Sequence, residues 1–369
     1  ADGLLAEEGP TRLRADGAKQ GLGRHGARGL QATTAGRCDV RWKAVAATLA
    51  LLAAAPLLGQ AKGFKQRLSG LGAAVMQKPL LEMCPGQFEV HGYGQVSLVS
   101  ASWNKAWDPS GTVEVQGDAA RIVPHMKGRA YFGEACHEGS YSWSDYSSIQ
   151  LLGKRMRYTV DLSKAGCGCN AALYLTSMGN QRNVSDCSDY YCDAAKVCGV
   201  SCAEIDIQEA NKKAWYSTLH VSSDPDGQGK GYGRDRKHWA KGEYGPGGKC
   251  IDTDKPFEVQ AAFPVSEFGS LAAMDITLVQ PDRPCSLSLQ VDEYVLPSGV
   301  NGMGELTSAL AAGMTPVISY WGEGESMAWM DGAGNGSGPC WEEQPQWCGD
   351  SVTFTGFSVE SLYSEEIVK

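Results

Sequence analysis

The segment Cys202-Ala203-Glu204-Ile205-Asp206-Ile207-Gln208-Glu209-Ala210-Asn211, with His220 eleven positions beyond Glu209, decides how this chain is read. Side chains on a strand alternate between its two faces. Glu204 and Asp206 therefore share one face, and Ile205 and Ile207 the other. Glu209 has the wrong parity to join the acids, and does so only if an extra residue is inserted between Asp206 and Glu209. The sequence thus predicts a β-bulge there.

Two carboxylates meeting in one cleft can divide the cleavage of a glycosidic bond. One attacks the anomeric carbon and the other protonates the leaving oxygen; in retaining enzymes they stand about 5–5.5 Å apart. Asp206, between them, would tune Glu204 through a shared proton or hydrogen bond. A solvated acidic face or a calcium site draws on the same residue types, and the triplet alone leaves these readings level.

The wider sequence separates them. Glu204-x-Asp206-x-x-Glu209-Ala210-Asn211 with His220 resembles the active-site strand of glycoside hydrolase family 7, the cellobiohydrolases and endoglucanases of β-1,4-glucan. Upstream, Leu151-Leu152-Gly153, Asp161-Leu162-Ser163 and Cys169-Asn170-Ala171-Ala172-Leu173-Tyr174-Leu175-Thr176-Ser177-Met178 are similar to the strand pair that precedes it. Downstream, Tyr244-Gly245-Pro246-Gly247, Ile251-Asp252-Thr253, the Phe257–Phe263 strand and Trp321 to Trp329 follow in family order. The resemblance covers roughly Gln150 to Phe357. It implies a concanavalin-like jelly roll, that is, an all-β sandwich of two antiparallel sheets with long disulfide-stapled loops. It also implies retaining hydrolysis, with Glu204 as nucleophile, Glu209 as acid/base, Asp206 positioning Glu204, and His220 hydrogen-bonding near the leaving group. Asn170 and Tyr174, four apart and so on one strand face, would line the cleft, and Tyr191-Cys192-Asp193 would approach the sugar. Trp103 resembles a cleft tryptophan, and Trp321 and Trp329 a pair that stacks sugar rings. No metal or organic cofactor is required.

There are departures from the pattern. Gln208 stands where the family usually has tryptophan, and Leu219-His220-Val221 lacks the Pro-His-Pro-Cys setting. Short Gly-rich loops, including Gly227 to Gly233, favour an open cleft and internal attack on chains. They leave room for two alternatives, a β-1,3 or mixed-linkage glucanase of the same clan and a non-catalytic glucan-binding wall protein.

Composition points to the same compartment and partner. Residues 1–61 carry 8 of the 33 Lys+Arg and 5 of the 42 Asp+Glu, so the remainder has 25 basic and 37 acidic residues, a net charge of −12. An acidic chain with no basic stripe is unsuited to nucleic acid and suits a neutral polysaccharide. Arg41-Trp42-Lys43, the apolar run Ala44 to Leu58 and Gly59-Gln60-Ala61 read as a secretory signal cleaved near Ala61. That leaves a single domain over 62–369, secreted, monomeric and without stable membrane association. Twelve of the 13 cysteines lie beyond this leader, an even number open to as many as six bridges in an oxidising compartment. The resemblance makes bridges near Cys202 expected. Asn183-Val184-Ser185 and Asn335-Gly336-Ser337 are glycosylation sequences. Alternation in Met156–Leu162, Phe257–Phe263 and Leu287–Val291, with turn-rich stretches between, predicts strands; Val300–Ala312 alone hints at a helix.

Overall fold

Met156, Tyr158 and Val160 are fully buried while their chain neighbours are half-exposed, the pattern of a strand with one face on a core. The computed structural model describes residues 82–117, 121–322, 326–334, 336–342 and 344–363. The leader and Asn335 lie outside them.

These residues form two large antiparallel sheets and two short two-stranded ones. The first has eight strands, in spatial order Gly86–Val90, Gly94–Ser100, Gly128–Gly133, Thr315–Trp321, Asn170–Thr176, Glu204–Ala210, Trp215–His220 and Gln228–Tyr232. The second has seven, in the order Leu287–Val291, Met274–Val279, Phe257–Ala262, Lys154–Asp161, Thr353–Ser361, Arg121–Pro124 and Val113–Gln116. Leu173, Leu175, Ile205 and Ile207 of the first meet Tyr158, Val160, Phe257, Val259 and Phe354 of the second in one core. Tyr158 stacks on Phe357 with ring centroids 5.6 Å apart, and Phe132 meets Phe357 edge-on at 5.2 Å. The expected all-β sandwich is the observed fold.

The helix spans Met303–Ala312, buries Met303, Leu306, Ala309 and Leu310, and ends at Gly313, whose φ of 99° suits glycine. No helix among the described residues is long and apolar enough to cross a membrane.

All twelve cysteines beyond Cys38 are paired: Cys84–Cys136, Cys167–Cys340, Cys169–Cys348, Cys187–Cys198, Cys192–Cys202 and Cys250–Cys285. Two of these pin the loop that feeds the acidic strand. Two others fasten the segment before Asn170 to residues 340 and 348.

Candidate active site

The acidic strand, Glu204–Ala210, is irregular where parity requires it. Against the strand Trp215–His220, Asp206 faces Thr218 and Glu209 faces Tyr216, so Ile207 and Gln208 together oppose Ser217. Against Asn170–Thr176, Asp206 pairs with Tyr174 and Gln208 with Leu173. The bulge is stabilised by polar groups on the core side. Ser217 Oγ donates to Ile207 O at 2.7 Å and accepts from Trp215 Nε1 at 2.9 Å. Gln208 is completely buried; its Oε1 accepts from the Tyr158 hydroxyl at 3.0 Å, and its Nε2 donates to Ala171 O at 2.9 Å. The departure at Gln208 therefore lies behind the strand, away from the cleft.

With Ile207 and Gln208 both turned inward, Glu204, Asp206 and Glu209 all line one cavity of about 810 Å3 across the first sheet. Tyr174, Tyr191, Asp193, His220, Trp321 and Trp329 line it as well. Asn170 reaches the site from the neighbouring strand. Its Nδ2 donates to Glu209 Oε1 at 3.1 Å, and its Oδ1 accepts from Ala210 N at 3.0 Å. Glu204 Oε2 accepts from Ala194 N at 3.0 Å, a donor held in place by the Cys192–Cys202 loop. His220 Nε2 donates to Asp206 Oδ2 at 2.9 Å while Nδ1 donates to Asp224 O at 3.2 Å. The hydroxyls of Tyr174 and Tyr191 are 2.9 Å apart.

Burial and crowding decide the protonation of these groups. Burial, then the charge of Asp206, pushes the Glu209 carboxyl up to about 8, opposed by His220, Asn170 and Arg236. Glu204 is raised well above the usual carboxylate range by burial and by Asp206 and Asp193, with the Ala194 N–H pulling the other way. Burial also raises Asp193. For His220, burial lowers the pKa, but the hydrogen bond to Asp206 and the charges of Asp206 and Glu209 outweigh it and leave the imidazole above its ordinary value. Glu209 therefore retains a proton at neutral pH, as a site that must donate one requires.

Trp103 is not among the lining residues. Its half-buried ring packs on the cluster containing Val99, Tyr131 and Tyr191, with Trp107 edge-on at 6.3 Å, while Asn104 and Lys105 next to it line the cavity. Trp321 ends its strand opposite Asn170. Trp329 sits in the short helix Ala328–Asp331, edge-on to Tyr216 at 5.8 Å.

Two arginines were not singled out by the sequence. Arg129 is buried over the Tyr191 ring at 3.9 Å and donates to the carbonyls of Trp103 at 2.6 Å and Asn104 at 3.0 Å. Arg236 lies over Tyr216 at 4.1 Å and donates to Thr218 Oγ1 at 2.8 Å. Among the described residues, the set of potential metal ligands in closest approach is Cys167, Asp331 and Cys340, and both thiols are spent in a disulfide.

The model of glycosyl hydrolase family 7 matches residues 138–195. Endoglucanase 1 of Pyricularia oryzae is 29% identical over 257 residues, 53% of this chain and 59% of that protein. The probable endo-β-1,4-glucanase celB of Neosartorya fischeri is 30% identical over 247 residues, covering 53% of this chain and 58% of celB. The chain thus spans about three-fifths of the length of these curated relatives. In fold it is similar to an endoglucanase I complexed with cellobiose, with a TM-score of 0.52 at 19% identity over 73% of this chain and 93% of that one. It is likewise similar to a family 7 cellobiohydrolase from Daphnia pulex, with a TM-score of 0.54 at 17% identity over 77% and 98%. The chain is thus similar to glycoside hydrolase family 7 over residues 138–195 in sequence, to fungal endoglucanases over about half its length, and to cellulases in fold.

Proposed function

We propose that the protein is a secreted, retaining β-glucan hydrolase that cuts β-1,4-glucosidic bonds within cellulose-type chains. The observation that carries this is the bulge at Ile207–Gln208, which turns Glu204, Asp206 and Glu209 into one cavity. Glu204 attacks the anomeric carbon, and Glu209 protonates the leaving oxygen and then activates water. A Glu209 carboxyl raised to about 8 is protonated at neutral pH, the state the first step needs. Asp206, fixed by His220, positions Glu204 and adds the negative charge that helps keep the Glu209 proton in place. Trp321 and Trp329, half-buried in the cavity wall, offer aromatic surface to the apolar faces of sugar rings, and the nearly buried Tyr174 and Tyr191 complete the wall.

Action within chains is favoured by the curated relatives, which are named as endoglucanases. Secretion is supported by six disulfides, which persist in oxidising compartments. The test is reducing-end release from soluble β-1,4-glucan and β-1,3-glucan by the parent chain and Glu204→Gln. Release from the β-1,4 substrate that vanishes in the variant is the expected result. Preference for β-1,3-glucan would move the enzyme to another specificity of the clan. Binding without release by the parent chain would overturn hydrolysis.

A further inference from the structure

His220 has no Pro-His-Pro-Cys frame, and its ring is held by other means. On the Nδ1 side stand the Asp224 carbonyl, 3.2 Å away, and Gly227 with φ +62°, where an added Cβ would come 2.4 Å from Nδ1. Residues 221–224 form a turn closed by Asp224 N donating to Val221 O at 3.0 Å. Behind that turn lies Tyr294, 2% exposed, from the segment after the strand Leu287–Val291. Its hydroxyl donates to Asp224 Oδ2 at 2.8 Å and accepts from Val221 N at 3.2 Å. One phenolic oxygen thus ties both ends of the turn that carries the partner of Nδ1.

We infer that Tyr294 is a positioning residue for His220: it fixes the 221–224 turn so that the Asp224 carbonyl holds Nδ1–H and Nε2 stays aimed at Asp206. Ser222 N, donating to Glu305 Oε1 at 2.7 Å, adds a further anchor from the helix. The kinetic consequence rests on the hydrolytic reading of the cleft; the geometric one does not. The charged and titratable groups around the ring are Glu204, Asp206 and Glu209 on the adjacent strand, Arg236 beyond it, Asp224 and Asp226 in its own turn, and Tyr294 and Glu305 behind.

The experiment follows the His220 imidazole by NMR titration of the full chain, beside the pH profile of β-1,4-glucan hydrolysis, in the parent, Tyr294→Phe and Asp224→Asn. In Tyr294→Phe the His220 midpoint falls toward its ordinary value. There kcat drops about three- to tenfold, the factor one hydrogen bond commands, with KM unchanged. Asp224→Asn, which still accepts from the phenol, retains most of both. If Tyr294→Phe does not fold, Asp224→Ala severs the same tether from the half-exposed side and is expected to give the same shift. An unchanged His220 midpoint in a folded variant overturns the inference. A shifted midpoint in a chain whose parent releases no sugar upholds the positioning and overturns only the hydrolytic reading.

Discussion

The phenol of Tyr158, on the second sheet, donates to Gln208 Oε1 on the first at 3.0 Å. That bond satisfies the side chain that the bulge forces into the core, and so underwrites the turning of Glu209 toward the cleft. Tyr158→Phe leaves a buried amide oxygen without its donor, which costs about 1–3 kcal/mol. Urea unfolding is expected to show that loss with little change in the slope of the transition. Gln208→Leu, which also leaves Ala171 O without its side-chain donor, is expected to lower activity as well.

With Glu209 as the proposed acid, activity is expected to fall as pH rises through about 8, because its carboxyl, raised to that value, must carry a proton to act. With Glu204 as the proposed nucleophile, which acts ionised, its upward shift by burial and by Asp206 is expected to move the acid limb up in pH. A kcat/KM profile on soluble β-1,4-glucan checks both limbs. In Asn170→Ala, which removes a donor that favours the charged form of Glu209, the upper limb moves to higher pH.

The same shift sets a stability trend of definite sign. Glu209 titrates near 4.5 when unfolded and near 8 when folded, so the native state holds a proton that the unfolded chain releases between those values. Its contribution is complete below about 4.5 and is lost as pH rises through about 8. Glu209→Gln carries no such penalty. Its Tm relative to the parent is expected to rise steadily from pH 5 to pH 8, as read by calorimetry.

The roles proposed for Glu204 and Glu209 are separable by rescue. Azide added to Glu204→Ala is expected to restore turnover of a β-glucoside bearing a good leaving group and give the α-glycosyl azide, because a small anion occupies the space of the carboxylate. With Glu209→Ala, azide attacks the glycosyl-enzyme and gives the β-product. NMR of the products assigns the roles, and exchanged stereochemistry would reverse them.

Replacing Cys192 and Cys202 together by alanine opens a loop closed over a separation of 10 residues, a loss of about 2–3 kcal/mol on chain-entropy grounds. The Ala194 N–H that meets Glu204 is freed by the same change. kcat is therefore expected to fall even at temperatures where calorimetry finds the variant folded.

The parity of Glu204, Asp206 and Glu209 announced the bulge, because three acids on one face have no other solution in a strand. It did not reveal that Ile207 and Gln208 both turn inward, since that depends on Tyr158 and Ser217 as hydrogen-bond partners. The two sheets were legible in alternations such as Met156–Leu162. Trp103 was read as a cleft residue, whereas Asn104 and Lys105 line the cavity and its own ring packs inward. The orientation of a short irregular hairpin is set by its packing and not by its own pattern. Arg129 carries no local signal, because its stacking partner Tyr191 and the carbonyls it binds come from separate parts of the chain. His220 was found by its offset from Glu209. Tyr294, which reaches it only through a turn, lies in a different segment and was not.

The strand Thr353–Ser361 lies inside the second sheet, between Lys154–Asp161 and Arg121–Pro124. During synthesis those two neighbours emerge from the ribosome some two hundred residues before the strand that joins them. Until then the sheet has an open slot with unpaired edges facing each other, and Cys167 and Cys169 wait for partners at 340 and 348. Strand insertion by another polypeptide, or a wrong thiol pairing, is therefore expected to compete with closure of the sheet. Refolding yield from the reduced, denatured chain is accordingly expected to rise when a disulfide isomerase is added.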